Sequence, residues 1–289
     1  MAIDQAGWFS EVLADKGCAF SLRTTSKLHD EHSPYQHIEI YATETFGNLM
    51  VIDGSIMLTA RDNFFYHEMM SHPALFTHPA PRRVCIVGGG DCGTLQEVLK
   101  HPEVEQVTQV DIDERVTRLA ERYFPELTAS NADPRARLLF DDGIAWVAAA
   151  EPGRLDLIIV DSTDPVGPAV GLFTQGFFAS CLRALAPGGM VIQQSESPLL
   201  HMDILRRMYA DMRGAGFADV KTLFFPQAVY PSGWWTATMG RKGAAIAGFR
   251  EDSVQRRTFT TRYYNAEIHR AALAQPELFR RELGAAAPS

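Results

Sequence analysis

The stretch Val84-Cys-Ile-Val-Gly88-Gly-Gly-Asp91-Cys-Gly93 decides the fold. An apolar run ends in a glycine-rich loop, and a helical pattern begins near Thr94. The glycines at 88, 90 and 93 satisfy G-x-G-x-x-G, which joins a strand to a helix in dinucleotide-binding folds. The spacing predicts a Rossmann-like strand–loop–helix unit, although this motif alone says little about the ligand.

Asp91 narrows the choice of ligand. A carboxylate in this loop, at the start of a helix, lies where a dinucleotide places its pyrophosphate, and the two negative groups repel each other. This disfavours an NAD-dependent oxidoreductase. The loop is typical instead of a nucleoside with a cationic tail, such as an amine-bearing adenosyl-sulfonium compound. An ordinary S-adenosylmethionine methyltransferase is the main alternative, although Asp91 repels the carboxylate of that donor.

Strand and helix patterns alternate after Val84 and predict a doubly wound, mainly parallel α/β sheet of the Rossmann-like methyltransferase type. Apolar runs such as Leu155–Val160 suit strands that are buried on both faces. The predicted strands lie near 83–87, 106–111, 137–140, 155–160, 189–194, 219–225 and 234–239. The predicted helices lie near 94–100, 113–123, 143–149, 174–186 and 200–214.

A different pattern precedes this sheet. Residues 20–61 alternate between apolar and polar, with turn signals at 46–48 and at Asp53-Gly54, and predict an antiparallel unit with hairpins. Asp62 is the predicted N-cap of a helix from Phe64 to about Leu75. We therefore expect an N-terminal β domain over residues 1–62 and a Rossmann-like catalytic domain over residues 63–289.

Composition limits the partners and the location. The chain has 289 residues, 46% of them hydrophobic, so a sizeable core is expected. The net charge of -8 argues against a nucleic-acid partner. No apolar run is long enough to span a membrane, and no secretory signal is recognised. The four cysteines form no C-x-x-C pair. Reduced thiols and a cytoplasmic location are therefore expected.

Acidic residues follow several predicted strands. Asp91 follows the strand that ends at Val87, and Asp161 and Asp164 follow the strand that ends at Val160. Ligands of open parallel sheets bind beyond the carboxyl ends of such strands, so these side chains are expected to converge on one crevice. The alternative is that Asp161 and Asp164 only cap a turn before Pro165.

Further acidic residues leave alternatives open. Asp111 or Asp113 would grip the ribose hydroxyls of a nucleoside, and the position favours Asp111. Asp142 would contact an adenine amino group or would only cap a helix before Gly143. The aromatic turn Tyr230–Trp235 is either a core edge or a substrate wall. The H-E-x-x-x-H spacing at 67–72 does not fit the zinc motif H-E-x-x-H, so no metal site is predicted.

Assembled in order, these motifs closely resemble the spermidine synthases, a family of polyamine aminopropyltransferases. The resemblance runs from about Tyr35 to Tyr264 and rests on Gly88-Gly-Gly-Asp91-x-Gly93, Asp142-Gly143, Asp161-Ser-Thr-Asp164-Pro-Val-Gly-Pro168, Tyr230-Pro-Ser-Gly233, Arg61-Asp-x-Phe-x-Tyr66-His-Glu-Met69 and Tyr263-Tyr-Asn265. It implies transfer of an aminopropyl group from decarboxylated S-adenosylmethionine to putrescine, which yields spermidine and methylthioadenosine. No metal and no cofactor are implied, because the decarboxylated donor is a co-substrate.

The resemblance also assigns roles to particular residues. Asp161 would face the attacking amine with the help of Tyr66. The implied donor-binding residues are Gln36, Gly88, Gly90, Asp91, Asp111, Asp142 and Gly143, and the implied acceptor-binding residues are His67, Asp164, Gln194 and Tyr230. Residues 161–173 resemble a gate loop that orders over bound substrates. A homodimer is implied by resemblance alone.

Some positions depart from the family pattern. Cys92 replaces a usual glycine, so we expect the backbone there to avoid positive φ. Asp111 replaces a more usual glutamate, and Met57 stands where glutamine is common. Ala60 and Asn63 replace acidic residues. These changes leave cadaverine, agmatine or spermidine open as the acceptor, and a catalytically silent polyamine-binding protein is a further alternative.

Overall fold

The computed structural model describes residues 7–283, and two β-sheets organise them. The N-terminal sheet is antiparallel and contains β1 (Trp8–Leu13), β2 (Cys18–His32), β3 (His37–Thr43), β4 (Asn48–Ile52) and β5 (Ser55–Thr59), paired in chain order. The predicted hairpin at Asp53-Gly54 is confirmed, because φ is 49° at Asp53 and 84° at Gly54. A two-residue turn with φ positive at both positions matches the twist of the strands that it joins.

The second sheet confirms the predicted doubly wound architecture. Its strands are β6 (Arg83–Gly88), β7 (Gln106–Asp111), β8 (Ala136–Phe140), β9 (Leu155–Asp161), β10 (Leu185–Gln194), β11 (Asp219–Pro226) and β12 (Trp234–Arg241). They are ordered β11-β12-β10-β9-β6-β7-β8. The five strands from β10 to β8 pair in parallel, whereas β12 pairs antiparallel with both β10 and β11.

Helices cover both faces of this sheet. Their bounds are α1 (Asn63–Thr77), α2 (Gly93–Leu99), α3 (Glu114–Tyr123), α4 (Gly143–Ala149), α5 (Gln175–Ala184), α6 (Met202–Ala215), α7 (Glu251–Gln255), α8 (Ala266–Ala272) and α9 (Glu277–Glu282), with 3-10 turns at Ala14–Lys16 and Gly167–Phe173. Ile86 packs into one hydrophobic cluster and its neighbours Cys85 and Val87 into another. The predicted two-sided burial of the central strands is therefore confirmed.

The N-terminal sheet packs against the second sheet through α3. Ile38, Ile40 and Met50 form one cluster with Val116 and Leu119 of α3. Along the chain, α1 lies between β5, the last strand of the N-terminal sheet, and β6, the first strand of the second sheet. Whether residues 1–62 and 63–289 behave as separate domains stays a prediction.

Asp62 does not cap α1, in contrast to the prediction. Its buried carboxylate instead accepts hydrogen bonds from Thr59 Oγ1, Gln227 Nε2 and the N–H of Val229. The Asp62 side chain thus joins the end of the N-terminal sheet to the loop between β11 and β12. Its hydrogen bonds to residues distant in sequence replace the predicted bond to the first turn of α1.

Glu68 has a similar linking role. It is 1% exposed, and its two carboxylate oxygens accept hydrogen bonds from the backbone N–H groups of Arg262, Tyr263 and Tyr264. The carboxylate thereby fastens the chain before α8 to the middle of α1. Within residues 7–283, no helix is long and apolar enough to cross a membrane.

Candidate active site

The carboxyl ends of β6 and β9 form the crevice expected at the reversal of strand order. Gly88 is paired with Asp161 across these strands, and the N–H of Gly89 donates to the Asp161 carbonyl at 2.7 Å. A Cβ on Gly88 would lie 2.1 Å from that carbonyl oxygen. The first glycine of the motif is therefore required by the close approach of the two strand ends.

Two adjoining cavities open at this edge. The larger encloses about 1050 Å³, and the smaller about 360 Å³. Their common walls are Met57, Tyr66, Ser162, Thr163 and Tyr230. All the predicted donor residues line the larger cavity, together with Asp161. Asp164, Gln194 and Tyr230 line the smaller one. The predicted donor and acceptor groups are thus separated into two spaces that meet beside Tyr66.

The lining of both cavities is strongly acidic. Six carboxylates line them, and no Lys, Arg or His stands among the described lining residues; the carboxylates are Glu11, Asp91, Asp111, Asp142, Asp161 and Asp164. Buried cations must be paired with opposite charge, and anions have no positive partner here. The lining of both cavities therefore suits cationic groups better than anionic ones.

Asp161 is held at the meeting point by two hydroxyl groups. Tyr66 OH donates to its Oδ1 at 2.7 Å, and Thr94 Oγ1 donates to its Oδ2 at 2.6 Å. Burial raises the pKa of Asp161, and the nearby Asp91 carboxylate raises it further. Thr94 was not predicted, because a threonine in the first turn of a helix has no sequence signal for a distant partner.

Asp91 is paired with His67 and oriented by its own loop. His67 Nε2 lies 3.2 Å from Asp91 Oδ1, and that oxygen also accepts from the Gly93 N–H at 2.7 Å. Burial alone would raise the pKa of Asp91, but His67 and the Gly93 N–H outweigh it, and the pKa lies below its usual value. Burial likewise opposes charge on His67, yet Asp91 raises its pKa.

This pairing corrects the role predicted for His67. Its ring is 3% exposed, lies behind Asp91 and is not among the described lining residues of either cavity. A Cβ on Gly93 would lie 2.1 Å from this ring, so Gly93 provides the space that the imidazole occupies. The contacts of His67 belong to the donor side, through Asp91, and not to the acceptor side.

The expectation for Cys92 is wrong. Its φ is +67°, within the left-handed region that favours glycine. The side chain is fully buried, where its Sγ lies 3.6 Å from both the Gly90 carbonyl oxygen and Gln109 Nε2. The loop therefore keeps the backbone that a glycine would adopt, and the thiol is packed beneath it.

Asp111 and Asp113 divide the roles left open by the sequence. Asp111 lines the larger cavity, and burial raises its pKa to about 7. Asp113 is 1% exposed and caps α3 by accepting from the Arg115 N–H. It also accepts from Gln36 Nε2 at 2.9 Å, which orients that predicted donor contact. A contact between Asp111 and ribose hydroxyls stays a prediction.

Asp142 is confirmed as a helix cap, and its contact with adenine stays a prediction. One carboxylate oxygen caps α4 by accepting from the N–H groups of Ile144 and Ala145, and the residue also lines the larger cavity. The aromatic turn lies both at a cavity and against the core. Tyr230 forms a wall of both cavities, and its ring packs edge-on against buried Trp235 at 4.6 Å.

The far end of the smaller cavity concentrates carboxyl groups. Burial, and then the Glu196 carboxylate, raise the pKa of Asp164 to about 8. Gln194 Nε2 donates to Glu196 Oε1 at 3.4 Å, and His201 Nδ1 lies 3.1 Å from Glu196 Oε2. Glu11 reaches the cavity from β1, and burial raises its pKa to about 7. Sequence reasoning missed Glu11, Glu196 and His201, since no motif surrounds them.

A possible metal-binding group lies on the N-terminal sheet. Asp30, His37 and Glu39 present ligand atoms within 4.8 Å of one another. The Lys27 ammonium lies 2.6 Å from both Asp30 and Glu39, so a cation already occupies this group. None of these residues is among the described lining residues of the two cavities.

The fold and the crevice together define a class: an α/β protein of the Rossmann-like methyltransferase type, with two adjoining acidic cavities at the carboxyl ends of β6 and β9. A family model described as the spermine/spermidine synthase domain matches residues 63–248. Another, described as the spermidine synthase tetramerisation domain, matches residues 7–60. The chain belongs to the spermine/spermidine synthase family.

Similar proteins agree with this assignment. A polyamine aminopropyltransferase of Thioalkalivibrio sulfidiphilus is 62% identical over 98% of this chain and 99% of its own length. One of Methylococcus capsulatus is 62% identical over 96% of each chain. A solved spermidine synthase in complex with the transition-state analogue AdoDATO is 32% identical, with a TM-score of 0.93 over 97% of this chain and 96% of that chain.

Proposed function

We propose that this protein is a spermidine synthase, which transfers the aminopropyl group of decarboxylated S-adenosylmethionine to putrescine. The observation that carries the proposal is the pair of acidic cavities that meet beside Tyr66 and Asp161. One cavity suits an adenosyl-sulfonium with a terminal ammonium, and the other suits a linear diamine. Relatives named polyamine aminopropyltransferase support the reaction type.

The donor occupies the larger cavity in this proposal. Asp91, kept ionised by His67, pairs with the terminal ammonium of the donor. Asp111 accepts hydrogen bonds from the ribose hydroxyls, and Asp142 from the adenine amino group. The methyltransferase alternative is disfavoured, because the carboxylate of intact S-adenosylmethionine would face Asp91 in a crevice with no described basic residue.

The acceptor occupies the smaller cavity. Its far ammonium pairs with Asp164, beside Glu11 and Gln194. Its near amine lies against Asp161 and is flanked by the rings of Tyr66 and Tyr230, whose centroids are 6.0 Å apart. Putrescine is the proposed acceptor, and cadaverine, agmatine and spermidine are the alternatives if putrescine gives no product.

The transfer requires one proton to leave the near amine. An unperturbed amine has a pKa near 10 and an aspartate near 4, a gap of about 6 units or about 8 kcal/mol. Burial raises the pKa of Asp161. Desolvation and the positive charge of the sulfonium both lower the pKa of the amine, so the difference between the two pKa values becomes smaller. The nitrogen lone pair then forms the bond to carbon as the carbon–sulfur bond breaks, its electrons staying on the sulfur of methylthioadenosine. Asp161 accepts the proton.

Three further features belong to the proposal. No metal and no cofactor take part, because the sulfonium is itself the activated leaving group. A cytoplasmic location is supported by the free thiols of Cys18, Cys85, Cys92 and Cys181. A homodimer formed through the N-terminal sheet is proposed, and sedimentation would distinguish it from the tetramer that the description of the matching family model suggests.

The deciding experiment incubates the protein with putrescine and either decarboxylated or intact S-adenosylmethionine, and follows the products by mass spectrometry. Spermidine and methylthioadenosine are expected only from the decarboxylated donor. Asp161→Asn should lower kcat by at least a hundredfold, whereas Asp141→Asn, next to the proposed adenine contact, should retain activity. Turnover with the intact donor alone would make the protein a methyltransferase.

A further inference from the structure

Thr94 contacts Asp161 from the side away from the cavities. It is the second residue of α2 and is fully buried, and its Oγ1 donates to Asp161 Oδ2 at 2.6 Å. Tyr66 OH donates to the other carboxylate oxygen, Oδ1, at 2.7 Å. Hydrogen bonds to a charged carboxylate stabilise the ionised form, so both hydroxyls favour the state that can accept a proton.

The two carboxylate oxygens have different surroundings. Tyr66, beside Oδ1, lines both cavities, whereas Thr94 is not among the described lining residues of either. A Cβ on Gly89 would lie 3.1 Å from Oδ2, so the glycine loop covers that oxygen closely. Oδ1 thus faces the junction where the substrates meet, and Oδ2 faces the glycine loop and α2.

We propose that Thr94 is a positioning residue, which holds Asp161 Oδ2 against the glycine loop and keeps the carboxylate ionised, so that Oδ1 receives the proton of the acceptor amine. The inference rests on the proposed aminopropyl transfer. The amine N–H bond breaks, its electrons remain on nitrogen, and the proton forms the bond to Oδ1. Thr94 keeps its own proton throughout.

Several charged or titratable groups act on Asp161. Asp91 comes from the glycine loop, His67 and Tyr66 from α1, Asp111 from the end of β7 and Tyr230 from the loop before β12. Burial and Asp91 raise the pKa of Asp161, and His67, Thr94 and Tyr66 oppose them. Removal of the Thr94 hydroxyl takes away one of the contributions that lower the pKa of Asp161. The pKa therefore rises, and as the pH is lowered Asp161 becomes protonated at a higher pH than in the wild type.

The test compares Thr94→Val, which keeps the shape without the hydroxyl, with Thr94→Ser, which keeps the hydroxyl. The pH dependence of kcat, with both substrates saturating, is the first readout. Its acidic midpoint should rise by about one pH unit in Thr94→Val, since one charge-assisted hydrogen bond is lost, and should stay near the wild-type value in Thr94→Ser. A purely structural role would lower activity equally at all pH values. Coincident midpoints in all three proteins would overturn the inference.

A second readout does not depend on activity. Carbon-13 NMR of protein labelled at the aspartate carboxyl carbons follows the titration of Asp161, whose signal is identified by its loss in Asp161→Asn. A higher midpoint in Thr94→Val supports the inference, and an unchanged midpoint overturns it. If the wild-type protein forms no spermidine, the proposed function fails, while the titration still tests the contact. A shifted titration with an unshifted kcat profile would refute the role in proton transfer.

Discussion

Cys92 places a non-glycine side chain in a left-handed backbone conformation, at φ +67°. This conformation costs about 1–2 kcal/mol for a residue with a Cβ. The thiol is buried between the Gly90 carbonyl and Gln109, and its contacts offset part of that cost. At position 92, a glycine would adopt this positive φ without strain. Cys92 adopts it with strain, and the packing of its thiol helps to hold the loop around Asp91 in shape.

Substitutions at Cys92 should reverse the usual order of alanine and glycine. Cys92→Ala loses the thiol contacts and keeps the strained φ, whereas Cys92→Gly loses the contacts and the strain together. We expect Cys92→Gly to be more stable than Cys92→Ala by about 1 kcal/mol. Urea unfolding measures the difference, and Cys181→Ala and Cys181→Gly, on α5, provide the control in which alanine is better.

Asp164 should make acceptor binding depend on pH. Its pKa of about 8 means that the carboxyl is mostly neutral at pH 7, whereas pairing with an ammonium requires the ionised form. Affinity for a diamine therefore strengthens as the pH rises towards 8 and weakens as it falls. We expect the KM for putrescine to rise by up to tenfold per pH unit below that value.

Asp164→Asn isolates this contribution. The KM for putrescine should rise by about a hundredfold at pH 8.5, and its pH dependence should become much flatter. Propylamine, which has no far ammonium, is the matched acceptor, and its KM should change little. Initial rates at saturating donor measure both. Equal losses for the two amines would show that Asp164 does not bind the far end.

At the scale of elements, the sequence predicted the central sheet well because its strands are buried on both faces and bounded by turns. It missed β1, because residues Trp8–Leu13 show no regular alternation of apolar and polar residues and no recognised turn follows them. It also began β10 late: Pro187-Gly188-Gly189 suggested a break, but the strand starts at Leu185 and absorbs the break as a shift in register before Met190.

The site was predictable where chemistry resides in motifs and unpredictable where it depends on long-range contacts. Asp91 and Asp161 were recognised because each follows a buried strand in a distinctive run. Thr94, Glu11 and Glu196 reach the crevice only through the packing of distant elements. For Asp62 the local sequence predicted the wrong role. An aspartate at this position suits a helix cap, but the carboxylate binds the N–H of Val229, which is distant in sequence.

The contact between α1 and α2 depends on the missing side chain of Gly93. In Gly93→Ala the new Cβ meets the His67 ring at 2.1 Å, so the ring must move away from Asp91. Overpacking of this kind should lower the free energy of unfolding by about 1–3 kcal/mol and weaken donor binding. Gly176→Ala in α5, where nothing lies within 4 Å, should be neutral or slightly stabilising. Thermal denaturation and calorimetric titration with the donor measure the two effects.

At the scale of the whole molecule, residues of both sheets line the smaller cavity. Glu11 of β1 accepts from the Ile56 N–H of β5 and lines the same cavity as Asp164. Glu11→Gln should raise the KM for putrescine about tenfold while leaving donor affinity unchanged. Glu44→Gln, at an exposed site just after β3, is the control and should behave like wild type. Steady-state kinetics with either substrate varied would separate the two constants, and a change in donor KM alone would contradict the assignment.

Glu68 has a consequence for anyone who shortens the chain. The family model of the catalytic domain ends at residue 248, yet the three N–H groups that satisfy the Glu68 carboxylate belong to residues 262–264. A chain that stopped at the family boundary would lose all three of these hydrogen bonds, each between a charged carboxylate and a backbone N–H. Since Glu68 stands two residues after Tyr66 on α1, the natural cutting point for a minimal enzyme lies beyond Tyr264.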